Sequence, residues 1–198
     1  MEPRQVFSSY QAENARPISD YRYCPRCGEP LAREDAAREP LRCSLCGFTA
    51  YRNPYPGVVV LVEQEGKALL CKRSPESFKP DAWCLPGGFI EYDEDFLSAG
   101  IREVREETGL AVSIESILSV VTNFLAPKLH TLVIVLLGRI IGGPEQAGDD
   151  AVALKWVELS GPLPELAFEA DGHIIRRYAE TRLSGAPVDP RFSRPSGG

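Results

Sequence analysis

Apolar positions along this chain come in short bursts, and the spacing inside the bursts alternates between two periods. The run Gly57-Val58-Val59-Val60-Leu61-Val62 is continuous and β-branched, which predicts a buried strand. Gln64-Glu65-Gly66 suits a turn, so 67–73 is read as a second strand paired with the first in a hairpin. A polar loop with prolines at 75 and 80 leads to a short strand at Trp83-Cys84-Leu85, stopped by Pro86-Gly87-Gly88. Over 95–108 the period changes, and Leu97, Ile101 and Val104 form one stripe at helical spacing. Asp93, Glu94 and Asp95 suit the positive end of that helix, and Gly109 stands where a C-terminal cap belongs. Strands are expected at 112–125, 130–141 and 152–159, with a loop over 142–150. A last helix over 171–183 turns Ile174, Ile175 and Tyr178 inward.

Short strands interleaved with two helices predict an α/β (α+β) sandwich around a mixed sheet, because two helices are too few to cover a fully parallel one. Prolines 54 and 56 make 52–56 an extended hinge. The main domain is therefore placed at 56–184, a cysteine-bearing module at 21–55 and a flexible segment at 1–20. A tail rich in Pro, Gly and Ser, expected to be disordered, occupies 185–198.

Composition narrows the classes. With 198 residues, 43% hydrophobic and 25% charged, the chain has apolar material for a real core. No run approaches the ~18 apolar residues of a membrane span. The first residues lack the apolar stretch of a secretory signal, so a cytoplasmic protein without a membrane partner is expected. A net charge of −6 argues against nucleic acid as a partner, since binding its backbone needs clustered Lys and Arg. A nucleotide-type small molecule stays compatible, because divalent cations can sit between acidic side chains and phosphate oxygens.

Four of the six cysteines form two tight pairs, Cys24/Cys27 and Cys43/Cys46, separated by 15 residues. Each reads Cys-x-x-Cys-Gly, a knuckle that turns backbone amides toward thiolates, and the set suits a structural Zn²⁺ site with no open position for water. Between 21 and 55, six Arg oppose four acids, and four thiolates with Zn²⁺ cancel the difference. That balance favours a role in folding, dimerisation or covering the substrate over one in phosphate binding. Cys71 and Cys84 stand in apolar segments and are read as buried small hydrophobes.

The helix at 95–108 carries Glu103, Glu106 and Glu107, which at about 100° per residue gather within about 100° of arc. Like charges at this spacing destabilise a helix by about 0.2–0.5 kcal/mol per pair. Arg102 can offset part of this by pairing with Glu106, and a hard cation such as Mg²⁺ or Mn²⁺ would offset more. The flanks read Gly88, five residues, Glu94, seven residues, Arg102-Glu103-Val104, one residue, Glu106-Glu107, one residue, Gly109-Leu110. Here the sequence resembles the Nudix hydrolase family, whose signature G-x5-E-x7-R-E-U-x-E-E-x-G-U (U aliphatic) is matched at every fixed position.

The resemblance implies a loop–helix–loop with Gly88 and Gly109 at its turns and an α/β/α sandwich around it. It also implies a reaction, metal-dependent hydrolysis of a diphosphate linked to another group. Carried over by position, Glu103, Glu106 and Glu107 are expected to hold Mg²⁺ or Mn²⁺. Arg102 is expected to orient them, and Glu94 to close the loop against the helix or to support the metal site. The general base is expected at Glu103 or in the later loop, at Glu145, Asp149 or Asp150. Homodimers are common in the family and are expected here.

A zinc ribbon before such a domain resembles two groups. NADH pyrophosphatases, some of which remove NAD caps from RNA, carry S-Q-P-W-P-F-P soon after the box. This chain has Ser119-Val120-Val121-Thr122-Asn123-Phe124-Leu125 there. The other group, ADP-ribose and FAD pyrophosphatases, is similar in Tyr51-Arg52-Asn53-Pro54, in Trp83-Cys84-Leu85-Pro86-Gly87-Gly88 and in Leu166-Ala167-Phe168. The expected substrate is thus ADP-ribose or FAD, with an NADH/NAD pyrophosphatase or NAD-RNA decapping enzyme as the alternative, and a non-catalytic ligand sensor with a nucleic-acid- or protein-binding ribbon as the alternative of another class. Phe89, Tyr92 and Phe124 are candidates to stack on an aromatic ring, and Arg73 to touch phosphate.

Overall fold

The computed structural model describes residues 9–10, 21–31, 41–51, 53–126, 129–182 and 184–194. Its elements run β1 (Ser9–Tyr10), β2 (Leu41–Arg42), β3 (Thr49–Ala50), β4 (Tyr55–Gln64), β5 (Lys67–Arg73), β6 (Trp83–Cys84) and β7 (Gly87–Phe89). Then come α1 (Phe96–Thr108), β8 (Ala111–Ala126), β9 (Leu129–Gly142), β10 (Ala151–Glu158), α2 (Glu169–Thr181) and β11 (Ala186–Pro187). The large sheet has the order β1-β8-β9-β4-β5-β10, with β11 on β8, β6 on β5 and β7 on β4. The β4–β9 pairing is parallel and the β8–β9, β4–β5 and β5–β10 pairings are antiparallel, so the sheet is mixed as expected.

The unbroken apolar run of β4 is explained by its position. Alternate residues of a strand face opposite sides. Leu61 packs with Leu70, Val135, Ile174 and Ile175 on the α2 side, while Val58, Val60 and Val62 pack with Ile101, Val104 and Leu136 on the α1 side. One helix covers each face, giving the α/β/α sandwich. Each such side chain, fully buried, contributes roughly 1.5–3 kcal/mol.

α1 starts where Asp95 caps it, accepting hydrogen bonds from the backbone N–H of Leu97 and Ser98 at 2.9 and 3.1 Å. It ends at Gly109, whose φ of 71° is open to glycine without strain. Placing Ile101 and Val104 in the core leaves Leu97 half-buried at its margin.

Two terminal expectations change. The tail does not hang free from 185: β11 pairs with β8 through Ala186–Ile117 and Pro187–Ser116. Beyond it, Val188 N–H donates to the Glu115 carbonyl and Ile114 N–H to the Ser193 carbonyl, at 2.9 and 2.7 Å. β8 presents a long sheet edge, and even a proline-rich segment can supply the carbonyls that edge needs. At the other end Ser9–Tyr10 lies parallel to Thr122–Asn123 of β8, while 1–8, 11–20 and 195–198 lie outside the described residues. Among the described residues no helix is long and apolar enough to cross a membrane.

Candidate active site

A cleft of about 410 Å³ opens between β4, β7, the α1 carboxylates, the loop before β10 and the start of α2. Its acidic floor is built by α1. Glu103 and Glu107, one turn apart, are both buried, whereas Glu106 is exposed, so the three glutamates do not form the single outward cluster that the spacing predicts. The sheet edge that receives the helix divides them. Gly88 lies so close to Glu103 that a Cβ there would stand 2.5 Å from Oε1. Gly88 therefore serves by letting the carboxylate approach rather than by making a turn.

Arg102 ties the box together. Its guanidinium donates to Glu94 at 2.6 and 3.0 Å, to Glu103 at 2.8 Å, to Glu106 at 2.9 Å and to the Phe89 carbonyl at 3.1 Å. These carboxylates raise its own pKa, Glu94 foremost. Glu94 in turn accepts the Glu91 N–H at 2.9 Å, closing the loop before the helix, and the Arg102 hydrogen bond holds its pKa down.

Glu107 accepts a 2.9 Å hydrogen bond from Gly87 N–H. Burial pushes its pKa well above the usual carboxylate range, and Asp150 and Glu103 push the same way. Burial likewise raises Glu103, with Arg102 opposing and Glu106 and Asp149 adding. Buried carboxylates that repel one another call for a cation, and oxygen-only donors suit a hard one. The donor set fits Mg²⁺ or Mn²⁺.

Of the loop acids, Asp149 and Asp150 line the cleft. Glu145 does not, and accepts the Trp156 indole N–H at 3.0 Å. Arg73 and Phe89 line the cleft; Tyr92 stands in solvent away from it. Phe124 also lies off the cleft and stacks on His130 with centroids 4.1 Å apart, because neighbouring strand residues face opposite sides and Asn123 takes the cleft side.

Sequence reasoning missed Asp171. It is 2% exposed, lines the cleft, and accepts the Leu85 N–H at 3.0 Å. Burial raises its pKa to about 7, against the pull of Leu85 N–H and Arg73. The signal was present: Asp171 lies three and four residues before Ile174 and Ile175, on the apolar side of the helix. Leu85, Pro86 and Gly87 thus form a strap fixed at each residue: Leu85 to Asp171, the Pro86 carbonyl to Val60 N–H at 2.9 Å, and Gly87 to Glu107. Phe78 and Phe168, stacked 6.2 Å apart, were also missed, and Arg73 lies 5.5 Å over the Phe168 ring.

In the module, the four cysteine sulfurs lie within 4.8 Å of one another. Cys24–Cys46 and Cys27–Cys43 are each 3.6 Å apart, near the ~3.8 Å edge of a tetrahedron with 2.3 Å Zn–S bonds. Amides of Cys46 and then Leu45 lower the Cys43 thiol, whereas at Cys27 the backbone hydrogen bond at Glu29 is outweighed by burial and the sulfurs of Cys46, Cys43 and Cys24, which raise that thiol. Cys71 and Cys84 are buried on paired strands, and burial raises both thiols.

Residues 53–178 match the NUDIX domain model. The chain belongs to the Nudix family. An ADP-ribose pyrophosphatase of Methanocaldococcus jannaschii is 38% identical over 132 residues, covering 66% of this chain and 76% of that protein. The NAD-capped RNA hydrolase NudC of Pseudomonas aeruginosa is 32% identical over 174 residues, which covers 85% of this chain but only 60% of that relative's length. Among solved structures, a NUDIX hydrolase from Nitrosomonas europaea superposes with a TM-score of 0.69 at 26% identity, covering 85% of this Nudix chain and 96% of that one. Relatives so named place the chain among enzymes of the hydrolase class.

Proposed function

We propose that this protein hydrolyses ADP-ribose to AMP and ribose 5-phosphate, with Mg²⁺ or Mn²⁺ held by Glu103, Glu106 and Glu107. The observation that carries the reading is the pair of buried, mutually repelling carboxylates, Glu103 and Glu107, on the floor of an open cleft. When bound, the divalent ions neutralise the diphosphate oxygens and stabilise the leaving phosphate. Arg102 keeps the glutamates in register through its bonds to Glu94, Glu103 and Glu106, and the Leu85–Gly87 strap holds Glu107. Water adds to one phosphorus, the P–O–P bridge breaks there, and the bridging oxygen leaves with the other phosphate. The proton of that water passes to a carboxylate on the cleft, and Glu103, Asp149 and Asp150 stand on it while Glu145 does not.

The name of the Methanocaldococcus jannaschii relative supports ADP-ribose, and FAD shares the same linkage. A second reading, cleavage of NADH or of an NAD cap on RNA, is favoured by the NudC relative, whose match reaches into the cysteine module. Phosphate release with added phosphatase, scanned over ADP-ribose, FAD, NADH, NAD-capped RNA and dinucleoside polyphosphates with either metal, separates these. ADP-ribose is expected to lead; a higher kcat/KM on NADH or capped RNA moves the assignment to the second reading, and no cleavage of any compound sinks the hydrolase mechanism. Zn²⁺ in the four-cysteine site belongs to the same reading, as do a homodimer and the cytoplasm, whose reducing conditions keep such thiols available for metal. Sedimentation tests the dimer.

A further inference from the structure

One wall of the cleft is formed by the sheet itself. β8 offers Val121, Asn123 and Leu125 to it, and β9 offers Leu129, Thr131 and Val133. Asn123 and Thr131 face each other across the antiparallel pairing, next to the Val121–Val133 pair. In this otherwise apolar wall both are buried, at 6% and 5% exposure. The Asn123 amide N–H reaches the Thr131 hydroxyl at 3.4 Å, the long end of a hydrogen bond. An amide offers two N–H donors and an oxygen with two lone pairs. One N–H goes to Thr131, and Asn123 lines the cleft. An apolar surface with a few convergent polar groups is how proteins bind flat organic ligands.

We propose that Asn123, steadied by Thr131, reads the substrate's base along adenine's N6–H/N7 edge, so that the ligand class is a purine presenting an amino donor beside the N7 acceptor. An amide pairs with such an edge through two hydrogen bonds, whereas guanine's O6/N7 edge offers two acceptors and calls for a cationic donor pair. The proposal rests on the ADP-ribose reading and adds to it the residue that selects the base.

Titration calorimetry of the full chain with AMP, GMP and UMP tests it, on the wild type and on Asn123→Ala and Asn123→Asp. The aspartate keeps the shape and removes both donors, so it separates hydrogen bonding from packing. The wild type is expected to prefer AMP, and both variants to lose that preference over GMP and UMP by about tenfold or more, a ratio that cancels any effect of the added charge common to the three phosphates. Equal weakening for all three nucleotides, or an intact AMP preference in Asn123→Asp, overturns the proposal. Turnover of ADP-ribose is scored separately: AMP selectivity that depends on Asn123 in a protein that cleaves nothing sustains this assignment and sinks only the hydrolase reading.

Discussion

Glu107 accepts one backbone N–H and is faced by two other acids, so its charge is poorly compensated. Glu107→Gln keeps the shape and the Gly87 contact but removes the charge that would hold metal. Turnover is expected to drop about 100-fold or more, the scale of losing one element of charge stabilisation, with little change in Tm. Asp171 makes a different prediction. Its folded pKa of about 7 lies above the ordinary value near 4, so the folded state keeps a proton that the unfolded chain has released. Stability from this group is therefore full below pH ~4, falls as pH rises toward 7, and is level above. Asp171→Asn removes the titration while retaining an acceptor for Leu85, so the wild-type Tm should fall roughly 5 °C more than the variant's between pH 4.5 and 8. Parallel Tm curves for the two proteins would refute the assignment.

At the scale of elements, the strap and the box helix meet at two glycines with unlike neighbours. A Cβ on Gly88 meets the far end of the Glu103 side chain, whereas one on Gly87 runs into the Val58 carbonyl of the backbone. Gly88→Ala should fold with a near-native Tm yet need several-fold more Mg²⁺ for half-maximal rate. Gly87→Ala should cost ~2 kcal/mol or more of stability, read by urea unfolding. The strands and α1 were legible because period and caps are local signals: 67–73 matches β5 to the residue, and Asp95 and Gly109 mark the ends of α1. The division of the glutamates was not legible, since which side of α1 meets β7 depends on the sheet. Nor was the cleft-facing side of β8: Phe124 was the candidate there, and strand alternation places Asn123 on the cleft instead.

For the whole molecule, the cysteine module precedes β4 in sequence with only 51–54 between β3 and that central strand. Purified protein should carry one Zn²⁺ per chain by elemental analysis, and Cys24→Ser/Cys43→Ser none, with Mg²⁺-dependent turnover of the Nudix domain retained at a measurable level. Complete loss of turnover with the Nudix core still folded would give the module a part in the chemistry. The strap has a consequence for how the enzyme comes into being. Leu85 N–H finds its acceptor on α2, more than eighty residues further along the chain. Ala170 and Ile174, from the same helix, form part of the cleft. A nascent chain on the ribosome can already display the entire glutamate box, yet its strap has no Asp171 and its cleft lacks a wall. The cleft is therefore complete only once α2 has been made, and a polypeptide cut short before residue 169 is expected to show no diphosphate hydrolysis in an activity assay.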